Sequence, residues 1–142
     1  MSRVGAAARA WIGTPFRHGA SRRGLGTDCL GLVRGLYREL VGPESITVPA
    51  YPSIRTTGVE NALMAGLEAA LQSVGTEETT LPGDVLAFGL GRVGACHLGV
   101  STRGGPHPLF VHALERHGVV ETSLSKPWSR RIAARFRFPL KD

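Results

Sequence analysis

Residues 81–90 read LPGDVLAFGL, and at this point the chain changes its pattern. From here on, apolar and β-branched residues come in short runs between glycine-rich turns: GDVLAFGL (83–90), ACHLGVST (95–102), PLFVHALE (108–115), GVVETSL (118–124) and AARFRFPL (133–140). Runs of this length with such punctuation predict strands. Before it, the spacing is helical. VGAAARAWIG (4–13) predicts a short alanine-rich helix that ends before the Gly-Thr-Pro that follows. TDCLGLVRGLYREL (27–40) predicts a second helix, capped by Thr27 or Asp28, with Cys29, Leu32, Val33, Leu36 and Leu40 on one face. GVENALMAGLEAALQSVG (58–75) predicts a third, with Leu63, Leu67, Leu71 and Val74 as its stripe and Gly75 as C-cap. Helices first and strands afterwards give an α+β fold, the N-terminal helices packed on a C-terminal antiparallel β-sheet.

The 142 residues suit one domain spanning 1–142, and no repeat or low-complexity tract divides them. No apolar run approaches the roughly 18 residues of a membrane span. The opening MSRVGAAARAWIG lacks a continuous apolar core followed by a cleavage site, so no secretory signal is expected. Two cysteines, Cys29 and Cys96, are too few for a disulfide framework, and free thiols are expected. Net charge is +6, carried mainly by arginines clustered at 17–38 and 130–137. Such a surface suits a polyanion or an acidic protein. It lacks any helix-turn-helix, zinc-finger or RNA-binding signature, so specific nucleic-acid binding is not expected.

Cys29 falls in the first turn of the second helix, where unpaired N–H groups and the positive end of the macrodipole favour a thiolate. The expectation is a depressed thiol pKa and a reactive sulfur. A buried core cysteine is the competing reading, and only a partner base decides between them. Of the five histidines, His18, His107 and His117 lie in loops, where exposure is expected. His97 and His112 lie inside successive predicted strands, and antiparallel neighbours can bring two imidazoles to one face. Strict alternation then turns Cys96 away from the face that carries His97. A nucleophile on a helix N-terminus, a base on one strand and an orienting imidazole on the next is the arrangement thiol catalysis requires. A zinc site is not expected, because no CxxC or HxxxH spacing is present and Cys96 and His97 point apart. The glycines of GASRRGLG (19–26) and GLGRVG (89–94) lack the phosphate-loop form and read as turns.

In order along the chain, WIGTPFRHGA (11–20), DCLGLV (28–33), LPGDVLAF (81–88), HLGV (97–100) and VHAL (111–114) resemble the NlpC-type cell-wall endopeptidases, papain-like cysteine peptidases that cut peptidoglycan stem peptides. Within that family, the DCLGLVRG, CHLGV and KPWSRR…FRFP patterns are most similar to peptidases encoded with the tail proteins of phages and gene-transfer agents. The resemblance implies a papain-like α+β domain with Cys29 as nucleophile, His97 as general base and His112 as orienting member. It implies no cofactor, and cleavage of the bond between D-glutamate and the diamino acid. A protein made in the cytoplasm without a signal, carried in a phage-like tail beside tail-hub proteins and acting on the periplasmic wall during DNA delivery, follows from the same likeness.

The chain departs from the family at two positions. Phe16 stands where members usually have a tyrosine whose hydroxyl helps bind the oxyanion, and Leu30 stands where a serine commonly follows the nucleophile. Phe16 and Asp28 are the expected substrate-binding residues, Asp28 either meeting a free substrate amine or only capping its helix. The missing hydroxyl keeps open a structural tail-hub component with the same fold and little catalysis. The same triad would also serve an acyltransferase or an amidase with a different pocket.

Overall fold

A computed structural model describes residues 2–44, 48, 51, 59–75, 77–90 and 93–140. Helices α1 (Arg3–Arg9), α2 (Cys29–Leu40) and α3 (Val59–Ala70) come first, with a two-stranded ribbon of β1 (Ser21–Arg22) and β2 (Gly26–Thr27) between α1 and α2. Strands β3 (Gln72–Val74), β4 (Val85–Leu90), β5 (Val93–Arg103), β6 (Leu109–Leu114), β7 (Gly118–Ser123) and β8 (Ile132–Arg137) follow, with a single helical turn, α4 (Lys126–Ser129), before β8. The six strands form one antiparallel sheet in the order β3-β8-β4-β5-β6-β7. The α+β architecture expected from the change of pattern is therefore present.

Burial follows the two periodicities. On α2, Cys29, Leu32, Val33 and Leu36 are buried against a core that also holds Ala8 of α1, Trp11 just beyond it, and Leu63 and Leu67 of α3. From the sheet it takes Val85 and Ala87 of β4, Leu98 and Val100 of β5, and Val111 and Ala113 of β6. Each large side chain fully withdrawn from water here contributes roughly 2 kcal/mol. The alternate residues Leu86, Phe88 and Phe110 point to the other side, where Leu124, Trp128 and Ile132 close a second, smaller apolar layer.

Asp84, in the Pro-Gly-Asp-Val turn that starts β4, is buried and accepts the Leu81 N–H (2.8 Å) and Arg137 Nε–H (2.8 Å). One carboxylate thus ties the turn to the end of β8.

Two expectations are corrected. The third helix stops at Ala70, and Val74 belongs not to its stripe but to β3, so Gly75 follows a strand and caps no helix. Gln72–Val74 satisfy their backbone by pairing with Arg135–Arg137 of β8, a non-local partner that local spacing cannot reveal. The second correction concerns strict alternation in β5. Phe88 is opposite His97, but Gly89 is opposite Ala95, so Cys96 is the extra residue of a β-bulge. His97 itself packs beside Phe88 and Trp128 of the second layer. Within GASRRGLG, Gly24 lies in the turn that joins β1 to β2, as expected, while Gly26 is already in β2.

Candidate active site

The end of α2 that carries the cysteine is fixed by Asp28. Its backbone is extended, as an N-cap requires, and Oδ1 accepts the Gly31 N–H at 2.7 Å. Oδ2 accepts the Gly19 N–H at 2.7 Å and the Tyr51 hydroxyl. His18 lies alongside, its Nδ1 3.9 Å from Oδ2 and its Nε2 2.7 Å from the Tyr51 carbonyl oxygen. Asp28 is thus the cap, and it also clasps the 17–20 loop. A substrate amine at Oδ2 would have to share it with the Tyr51 hydroxyl and the Gly19 amide.

Gly31 makes this clasp possible. A Cβ there would lie 1.9 Å from the Ala20 carbonyl oxygen and 2.6 Å from Thr27 Oγ1. Phe16 forms an isolated parallel bridge with Thr27, which sets it two residues from Cys29. Its ring packs against the main core and carries no hydroxyl for an anion.

Cys29 is 5% exposed, and Cys96 is buried too; both are free thiols. Burial pushes the Cys29 thiol up to about 12, and the neighbouring Asp28 charge acts in the same direction. The backbone N–H groups of Leu98, Leu30 and Cys29 itself oppose that shift without cancelling it. The expected depressed pKa is therefore overturned. Withdrawal of the sulfur from water outweighs what the helix terminus offers a thiolate. The same interactions locate the sulfur: the Leu98 N–H that reaches it belongs to the residue after His97.

His97 and His112 come together. Nε2 of His97 and Nδ1 of His112 are 2.9 Å apart, and Nε2 of His112 is 2.8 Å from Thr122 Oγ1 on β7. β5 and β6 pair with Val100 opposite Val111. One step further along that register sets Gly99 against His112, so the two imidazoles meet diagonally across a residue with no side chain. His112 is fully buried, and burial pulls its pKa down to about 4. It is neutral at physiological pH and shares its hydrogen bond with His97 without adding charge.

Trp128 stands over the pair, with ring centroids 5.1 Å from His112 and 5.9 Å from His97, while Phe110 packs 4.3 Å from His112. The hydrogen bond between the imidazoles is thereby enclosed in aromatic surface, where it is stronger than in water. Sequence reading gives Trp128, Thr122 and Tyr51 no individual role. The KPWSRR pattern was the available signal for Trp128. Among the described residues no three His, Cys, Asp or Glu side chains converge in a metal-binding group. Among the same residues no helix is long and apolar enough to cross a membrane. His18, His107 and His117 are exposed, as expected of loop residues.

Residues 13–137 match the NlpC/P60 family. The chain belongs to that family. Membership places it in a class of cysteine-type hydrolases. Among solved structures, an NLP/P60-family protein similar to a lipoprotein, from Staphylococcus aureus, is 20% identical with a TM-score of 0.59. The alignment covers 98% of this chain and 41% of that one, so this NlpC/P60 chain spans about two-fifths of the staphylococcal protein's length. The NlpC/p60 domain of the peptidoglycan hydrolase SagA is 21% identical with a TM-score of 0.63, over 95% of this chain and 96% of the other. At these identities the two likenesses establish the papain-like NlpC/P60 fold. No curated protein sequence matches this chain significantly.

Proposed function

We propose that this chain is a cell-wall cysteine peptidase that hydrolyses peptidoglycan stem peptides, with Cys29 as nucleophile, His97 as general base and His112 as orienting residue. The observation that carries the proposal is the His97–His112 bond of 2.9 Å, made beside the strand amide that meets the Cys29 sulfur. In the resting enzyme the sulfur is a neutral thiol. When a peptide carbonyl is seated against it, the thiol proton passes to Nδ1 of His97 as sulfur attacks carbon. The C–N bond then breaks, the amine leaves with the proton from His97, and an acyl-enzyme remains. Water, deprotonated by the same imidazole, releases the acid and restores the thiol. The Cys29 backbone N–H is the natural first donor to the oxyanion. The absent hydroxyl at Phe16 costs a second one, which is worth about 10²–10³ in rate. The bond between D-glutamate and the diamino acid is the expected target.

The biological setting we infer is a phage-like tail. The enzyme would be made in the cytoplasm, docked through its arginine-rich surface on acidic tail-hub proteins, and delivered to the periplasmic wall. Phe16 favours a second reading, a tail-hub component with little catalysis. Purified protein is incubated with peptidoglycan or a tetrapeptide stem beside Cys29→Ala. Cleavage by the wild type that is lost in the variant supports the peptidase. No cleavage by either, with tail proteins still co-purifying, supports the structural reading.

A further inference from the structure

Two hydrogen bonds in series, His97 Nε2 to His112 Nδ1 and His112 Nε2 to Thr122 Oγ1, share the single ring proton of a neutral His112. They can be satisfied in two ways. If Thr122 Oγ1 accepts from His112 Nε2–H, Nδ1 of His112 is a lone pair and His97 must donate from Nε2. A neutral His97 then carries its proton on Nε2 and offers Nδ1 as a base. If the Thr122 hydroxyl donates instead, His112 carries its proton on Nδ1 and donates to His97 Nε2. His97 then holds its own proton on Nδ1 and cannot take one from a thiol there.

We propose that Thr122 is a positioning residue whose hydroxyl accepts the His112 Nε2–H and so fixes both imidazoles in the tautomers that make His97 a base. This deepens the reading of the site given above and rests on it for its catalytic meaning, so the experiment below includes a readout that needs no turnover. The proton transfer itself favours the accepting direction. When His97 takes the thiol proton it becomes a donor at both nitrogens, and its Nε2–H must find an acceptor at His112 Nδ1. Only the accepting arrangement of Thr122 has that acceptor in place beforehand, with no proton needing to move along the chain. The burial that holds the His112 pKa low removes the third possibility, a charged imidazole donating at both ends. Trp128 and Phe110 pack against the His112 ring, and the Thr122 hydroxyl is the partner the structure gives its Nε2.

The test is a pair of substitutions read in two ways. Long-range proton–nitrogen NMR spectra of ¹⁵N-histidine-labelled protein at pH 7 report which nitrogen of His112 carries the proton. We expect Nε2 in the wild type and in Thr122→Ser, and a mixture or a switch to Nδ1 in the near-isosteric Thr122→Val. With stem peptide as substrate, Thr122→Val is expected to lower kcat by ~10- to 100-fold with KM unchanged, the scale seen when an orienting partner is removed. Thr122→Ser is expected to restore kcat. A wild-type His112 protonated on Nδ1 overturns the proposal by itself, even where Thr122→Val does not fold. An unchanged tautomer in a folded Thr122→Val overturns it equally. A wild type that shows the expected tautomers but cleaves no stem peptide overturns the peptidase reading and leaves the assignment of the proton standing.

Discussion

Cys29 sits at a helix N-terminus yet ionises with difficulty, because a sulfur withdrawn from water loses more than three backbone N–H groups return to it. On the proposed mechanism the resting sulfur is then a thiol, and its proton passes to His97 only as substrate arrives. Iodoacetamide tests this in the free enzyme, with Cys29→Ala correcting for Cys96. Alkylation of Cys29 is expected to be slow at pH 6–7 and to keep rising into the alkaline range, following the small thiolate fraction. A rapid plateau reached by pH 6 would mean a preformed thiolate–imidazolium pair and would remove this account. Sequence reading names the sulfur and both imidazoles as candidates, since a cap followed by a cysteine and histidines inside strands are local signals. It missed how the site is lined. Tyr51 reaches Asp28 from 23 positions away, and Thr122 reaches His112 across the next strand, so neither leaves a mark in its own neighbourhood.

Among the elements, α2, β5 and β6 carry the candidate site, and α2 and β5 each depend on an absent side chain. Gly31→Ala would drive a Cβ to 1.9 Å from a backbone oxygen that cannot swing aside. The expected cost is about 1–3 kcal/mol in urea unfolding, with the α2 N-terminus lifted from the 17–20 loop. Gly99→Ala would set a Cβ 2.7 Å from the Phe110 ring, which packs on His112, so activity should fall more than stability. Gly66→Ala in α3 is the contrast, because nothing lies within 4 Å of the new Cβ. It should stabilise the helix by roughly 0.5–1 kcal/mol. A Gly31→Ala protein as stable as wild type would refute the close seating of α2. These elements were readable to different degrees. The bounds of α2 follow from Asp28 and the three- and four-residue steps. The end of α3 and the bulge at Cys96 are set by pairing with distant strands, and periodicity within one segment is blind to that.

Taken whole, the molecule is a sheet with apolar layers on both faces, and His112 is sealed between β6 and the smaller layer. That placement makes stability depend on pH. The folded state holds the imidazole neutral down to about 4, whereas the unfolded chain protonates it near 6.5. As pH falls between these values the unfolded state binds the extra proton. The stabilisation present above 6.5 is therefore lost at ~1.4 kcal/mol per pH unit, to a total of about 3 kcal/mol. Carboxylates act in the same direction at lower pH. Hydrogen bonds from Arg34 and Arg38 hold Glu44 below its usual range. Burial raises Glu121, but bonds from Thr102 and Arg9 bring it lower overall. Both contributions are present above the unfolded carboxylate pKa and fade as pH drops through the folded one. Urea midpoints at half-unit steps from pH 7.5 to 4.5, for wild type and His112→Asn, separate the imidazole from the acids. The wild type should lose stability steadily from pH 6.5, and the variant should stay flat until the carboxylates titrate. Parallel curves for the two proteins across that window would show that His112 is not held neutral by the fold.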